Sequence, residues 1–79
     1  MNDSICHDLE FDARGLMCPE PIMMLHGKVR DMASGEVLKV VATDPATQRD
    51  VPKFCHYLGH ELLLAEEIES HYVFWIKKA

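Results

Sequence analysis

Apolar runs are short in this sequence: none exceeds five residues, against the ~20 that a membrane-crossing helix needs. Basic residues are also few, with 8 Lys and Arg facing 13 Asp and Glu for a net charge of −5. That balance argues against direct nucleic-acid binding, which requires clustered cations to displace phosphate counterions. Only three cysteines occur, an odd number with no Cys-x-x-Cys and no Cys/His pair at zinc-finger spacing. A disulfide framework and a structural zinc are therefore not expected. Glycine is scarce and builds no phosphate-cradling loop. The opening "MNDSICHDLE" lacks the basic start and apolar stretch of a secretory signal, so the expected location is the cytoplasm.

What is present fits one small domain. At 79 residues the chain buries about 60% of its unfolded surface and is held together by a modest core. Residues 1–8 read as a flexible N-terminal tail and residues 9–79 as a single domain. Leu9 and Phe11 alternate with Glu10 and Asp12, which is a strand pattern. From Pro19 the period changes: Ile22, Leu25, Val29 and Met32 share one helical face, with Pro19 in the first turn and Ser34-Gly35 closing the helix. Glu36 to Thr43 is β-branched and apolar, as in a central buried strand. Asp44 caps a turn at Pro45, and Asp50 caps a second helix that begins near Val51-Pro52, carries Phe54, Cys55 and Leu58, and stops at Gly59. Two final strands, "HELLLAEEI" and "HYVFWIKK", form a hairpin about Glu69-Ser70. The order β-α-β-α-β-β predicts an α/β (α+β) two-layer sandwich, a four-stranded mixed sheet with both helices packed on one face.

In such a fold the loops after the first and second strands leave the same edge of the sheet, the edge that ligand sites favour. One loop delivers Cys18 and the other Asp44. Cys18 stands at or beside the N-cap of the first helix, where free N–H groups and the helix dipole favour an anion and lower a thiol's pKa. Glu20, in the same turn, opposes a thiolate. A lone cysteine is commonly a small core residue, but a loop position serves a core poorly, so Cys18 is the candidate nucleophile. Cys55, on the amphipathic second helix, reads as buried filler, and Cys6 as an incidental thiol of the tail. No base or orienting group stands with Cys18: His7, His26, His56, His60 and His71 are scattered, and Gly59 interrupts the i, i+4 pair His56 and His60. Met17, Met23, Met24 and Met32 read as core or a partner-facing patch before they read as a soft-metal set. A nucleophile without machinery suits a carrier better than a stand-alone enzyme.

"DARGLMCPEPIMML" and "SGEVLKVVATDPATQRDVPKFCHYLGHELL" resemble the TusA (SirA-like) family of sulfur carrier proteins, over about Leu9 to Lys78. The motifs are Cys18-Pro19-Glu20-Pro21 and Asp44-Pro45-Ala46-Thr47. The resemblance implies that Cys18 accepts sulfane sulfur as a persulfide from a cysteine desulfurase and passes it to a downstream relay protein, ending in tRNA 2-thiouridine, molybdenum-cofactor enzymes or sulfur oxidation. It implies a sulfurtransferase-type carrier with Pro19, Glu20, Pro21 and Asp44 shaping the site. It implies no cofactor of its own, because pyridoxal phosphate belongs to the donor. Met24, Lys28, Arg30 and Arg49 are candidates for the partner-contact surface of a small, monomeric protein. His26-Gly27 departs from the basic residues common on the family's first helix, which bears on the desulfurase contact. Two other readings of the residues remain open: a redox or regulatory interaction module that transfers no sulfur, and a soft-metal binder using Cys18.

Overall fold

A computed structural model describes residues 6–79 of the chain. Its elements run β1 (Leu9–Ala13), α1 (Glu20–Arg30), β2 (Val37–Ala42), α2 (Thr47–Leu58), β3 (Glu61–Ile68) and β4 (His71–Lys77). The sheet order is β1-β2-β4-β3. β1 lies parallel to β2, with Leu9 opposite Leu38 and Ala13 opposite Ala42. β4 runs antiparallel between β2 and β3. The final hairpin thus inserts its second strand beside β2 and leaves β3 at the edge, giving the mixed sheet expected from the sequence. β3 is bulged between Leu62 and Leu64, an irregularity typical of edge strands.

Both helices cover one face. Phe11 and Ala13 of β1, Leu38, Val40 and Ala42 of β2, and Phe74 and Ile76 of β4 point into a single core. The helices meet them with Leu25 and Val29 from α1 and Val51, Phe54 and Cys55 from α2. The period of two in the strands and of three to four in the helices produces this directly. β2 is central, but it is buried on one face only: Val37, Lys39 and Val41 are half-buried on the other. There Val73 and Trp75 are also buried, and the Lys39 ammonium lies 5.8 Å from the Trp75 ring centroid.

Three boundaries differ from expectation. Asp8 is already tied to the sheet, its N–H donating to the Val37 carbonyl (2.8 Å) and its carboxylate accepting the Val37 N–H (2.9 Å). The domain therefore reaches back into the expected tail, and residues 1–5 of that tail lie outside the described residues. α1 ends at Arg30, not beyond Met32, with Asp31 as its C-cap. Gly35 does take positive φ (88°), but in the turn into β2, where its N–H donates to the Lys78 carbonyl. α2 starts at Thr47, earlier than an Asp50 cap would place it. Ala46 is its N-cap and has no side-chain capping bond. Asp44 instead caps the turn that leads into the helix, as read from the sequence: its Oδ1 accepts the Ala46 N–H (3.1 Å), and its carbonyl accepts the Thr47 N–H and hydroxyl. Pro45, with its fixed φ, suits the first position of that turn. Gly59 closes α2 in the left-handed conformation, as read from the sequence.

Candidate functional site

The β1–α1 loop is held at both ends. Gly15, at φ 84°, turns it out of the strand, and its N–H donates to Thr43 Oγ1 (2.9 Å). Three residues on, the Cys18 N–H donates to Asp44 Oδ2 (2.6 Å). The Asp44 carboxylate therefore uses one oxygen to hold the turn into α2 and the other to fix the backbone of Cys18, joining two loops that are 26 positions apart in the chain. The peptide bond between Cys18 and Pro19 is cis.

Cys18 precedes the N-cap, which is Pro19. The N–H groups expected to cradle a thiolate there are mostly missing or engaged. Pro19 and Pro21 have none, and the Glu20 N–H donates to the Met17 carbonyl (2.9 Å). The thiol points elsewhere: Cys18 Sγ donates to Asp50 Oδ2 (3.4 Å). That hydrogen bond is the main cause of a Cys18 pKa above the ordinary thiol value, followed by loss of water and by the negative charges of Asp50 and Asp44; Arg49 pulls the other way. The sequence left the net sign open between the helix start and Glu20; the structure sets it upward, because two carboxylates outweigh a helix start in which Pro19 and Pro21 have no N–H and Glu20 has its own engaged.

Cys18 and Asp50 sit at one end of a groove between α1 and α2 with a volume of about 370 Å³. Its walls are apolar: Pro19 and Ile22 from α1, and Phe54, Tyr57 and Leu58 from α2. Tyr57 is 76% exposed and Met17, on the same loop as Cys18, 72%. Large apolar side chains left open around a reactive atom mark a place where another molecule fits. His26 and Lys53 add the groove's polar lining, and the His26 ring packs edge-on against Phe54 with centroids 4.8 Å apart. Gly27, beside it, has an open environment. A Cβ there would meet only the Arg30 guanidinium, at 3.9 Å.

The structure gathers some of the residues singled out from the sequence and separates others. Cys18, Pro19, Glu20, Pro21 and Asp44 form one loop junction. Arg49 stands beside it, its Nε donating to Asp50 Oδ1 (3.2 Å). Met24 is exposed one turn into α1. Lys28 and Arg30 lie in the last turn of α1, about 12 and 15 Å of helix rise from its start, so they do not flank the thiol. The Lys28 ammonium instead sits 5.6 Å from the Phe11 ring centroid. Asp50 is the residue that sequence reasoning misassigned. Its i, i+4 spacing to Phe54, read together with a helix started by Asp44-Pro45, is the signal that places it on the groove. Cys55 is 2% exposed, and burial pushes its thiol up to about 11. Cys6 is exposed and free. Among the described residues no group of three or more His, Cys, Asp or Glu is arranged to hold a metal, and no helix is long and apolar enough to cross a membrane.

The family model described as Sulfurtransferase TusA matches residues 9–78. The chain belongs to the TusA family. Among its relatives, a protein from Pseudomonas entomophila named sulfur carrier protein TusA is 60% identical over 78 residues, covering 99% of this chain and 96% of the relative. Proteins of the same name from Pseudomonas syringae pv. syringae (55% identical, 96% and 90% covered) and Pseudomonas paraeruginosa (61% identical, 90% and 90% covered) also match. A crystal structure of a SirA-like protein from Desulfitobacterium hafniense shares the fold, with a TM-score of 0.77, 18% identity, and 89% of this chain and 96% of that one covered.

Proposed function

We propose that this TusA-family protein carries sulfane sulfur as a persulfide on Cys18, receiving it from a cysteine desulfurase and handing it to a cysteine of a downstream relay protein. Sulfur carriage itself follows from the family. The observation supporting Cys18 is its placement. Of the three cysteines, it alone stands on a pinned loop with its sulfur at the mouth of an exposed apolar groove. Loading is a thiol–persulfide exchange. The Cys18 sulfur attacks the outer sulfur of the donor persulfide R–S–SH, one S–S bond forms as another breaks, and the donor leaves as R–SH once the Cys18 proton has been transferred. The chain supplies a thiol and a docking face, and pyridoxal phosphate stays with the donor. Delivery to tRNA thiolation or another cytoplasmic sulfur-transfer route depends on the acceptor that fits the groove.

The test is to incubate the protein with a cysteine desulfurase and sulfur-labelled cysteine and to map the added sulfur by mass spectrometry. Label is expected on Cys18 and absent from Cys18→Ser; label on Cys6 or Cys55 overturns the assignment. The hydrogen bond that holds the Cys18 thiol protonated favours a second reading, a regulatory interaction module that transfers no sulfur. Under it, Cys18→Ser retains activity in cells.

A further inference from the structure

Asp50 has the closest hold on the Cys18 thiol, yet it lies outside both sequence motifs of the site. Its carboxylate is divided: Oδ1 accepts from Arg49 Nε (3.2 Å) and Oδ2 from the Cys18 thiol (3.4 Å). Arg49 is an exposed partner, its side chain 69% accessible, whereas the Asp50 side chain is 19% accessible and lines the groove. The charges around the sulfur are mainly acidic: Asp50 and Asp44 are bonded to Cys18 itself, and Glu20 opens α1. Against them stand Arg49 from α2, with Lys53 and His26 elsewhere along the groove. The helix terminus contributes little, because Pro19 and Pro21 remove two donors and Met17 occupies a third.

From this geometry we propose that Asp50 is a positioning residue that holds Cys18 as a protonated thiol in the free carrier, and that a sulfur donor activates it by bringing a basic side chain to Asp50 at the mouth of the groove. The proposal rests on the reading of Cys18 as the sulfur-bearing residue. The partner chemistry follows from charge complementarity: an apolar ridge to fill the groove and one cation for a carboxylate that its own arginine only half covers. Pairing Asp50 with that cation frees the thiol proton. Cys18–S⁻ then forms its bond to the outer sulfur of R–S–SH as the R–S–SH sulfur–sulfur bond breaks. The departing R–S⁻ takes up one proton, so that Cys18–SH and R–SSH become Cys18–SSH and R–SH with no oxidant or reductant consumed.

The test uses the full chain, its Asp50→Asn and Cys18→Ser variants, and two donors: glutathione persulfide, which brings no docking surface, and a cysteine desulfurase supplied with cysteine. Cys18 alkylation by iodoacetamide is followed against pH. Asp50→Asn is expected to move the alkylation profile to lower pH. Each pH unit of movement gives about 10-fold more thiolate, offset by a nucleophilicity about 3-fold lower, so alkylation and loading from glutathione persulfide rise about 3-fold at neutral pH. Loading by the desulfurase rises less or falls, because the variant already lacks the charge that docking neutralises. An unmoved alkylation profile overturns the proposal, as does an equal rise with both donors. If Asp50→Asn slows every reaction, the residue is merely structural and the proposal fails. If loading survives Cys18→Ser, the Cys18 reading falls and takes the Asp50 proposal with it. If loading is lost in Cys18→Ser yet indifferent to Asp50→Asn, only the Asp50 proposal falls.

Discussion

Replacing Asp44 with alanine tests whether one carboxylate joins the two halves of the site. Asp44 Oδ1 accepts the Ala46 N–H at the start of α2, and Oδ2 accepts the Cys18 N–H of the β1–α1 loop. Loss of the hydrogen bond that holds the turn into α2 costs about 1 kcal/mol. Loss of a hydrogen bond to a charged group costs about 1.5 kcal/mol at the lower end of its range, which suits a half-buried carboxylate. Together the two amount to about 2.5 kcal/mol, or roughly 10–20 °C in Tm for a domain of this length. Urea denaturation should show a lower midpoint with an unchanged slope, since the core is untouched. Asp44→Asn keeps one acceptor oxygen and should lose about half as much. A loss below about 0.5 kcal/mol for Asp44→Ala, typical of an unremarkable surface substitution, would refute the reasoning. So would equal losses for the two variants.

Gly27→Ala should stabilise the protein by about 0.5–1 kcal/mol, because α1 pays glycine's entropy at an interior position where a methyl group meets nothing closer than 3.9 Å; a lower urea midpoint would contradict this. Asp12, bonded to Arg14 through its side chain and backbone, has its carboxyl lowered from 3.8 to about 2. Its contribution is therefore complete above pH 3.8 and lost as pH falls through about 2, and it is small because the pair is exposed. The gap in urea midpoint between wild type and Asp12→Asn should close over that window, and a gap that persists at lower pH would contradict the assignment. Cys55, buried and with its thiol pushed up to about 11, should resist iodoacetamide in the native protein and react fully in denaturant. Native labelling at a rate similar to Cys6 would show that α2 opens readily.

The fold was legible because hydrophobic period and turn residues agreed along most of the chain. The β-branched apolar run from Glu36 to Thr43, the stripe Leu25 and Val29, and the left-handed Gly59 each mean one thing in any compact arrangement, although the run did not show that β2 is fully buried on one face only. The boundaries of α1 and α2 were less legible. Met32 continues the apolar stripe and is 5% exposed, but it reaches the core from beyond the helix end, and periodicity cannot tell a last turn from a following loop that packs alike. Pro52 read as a helix start when it is an interior residue of α2, a position where its missing N–H normally weakens a helix. The juxtaposition of Cys18 with Asp44 followed from topology, since both loops leave the same sheet edge. The thiol's protonation state did not follow, because its sign depends on the direction in which Sγ points. Sequence shows that Pro19 and Pro21 lack N–H groups, but not that the Glu20 N–H is taken by Met17 or that Asp50 faces the sulfur.

A thiol held protonated shapes both halves of a relay, and in unloading it makes a further demand. Under the proposed persulfide role of Cys18, an acceptor thiolate attacks the outer sulfur of Cys18–S–SH and Cys18 is the leaving group, and a leaving thiol departs faster the lower its pKa. The carboxylate contacts that slow loading by withholding the thiolate therefore also slow discharge, and a cation on Asp50 relieves both. If Asp50 acts as proposed, an acceptor is expected to present the same feature as the donor, a basic side chain at the mouth of the groove. Asp50→Asn carrier, loaded on Cys18 and mixed with excess glutathione, should discharge faster than wild type at neutral pH, while its discharge to a protein acceptor gains less. Slower discharge to glutathione from the variant would show that Asp50 assists the departing sulfur, and would reverse the role assigned to it.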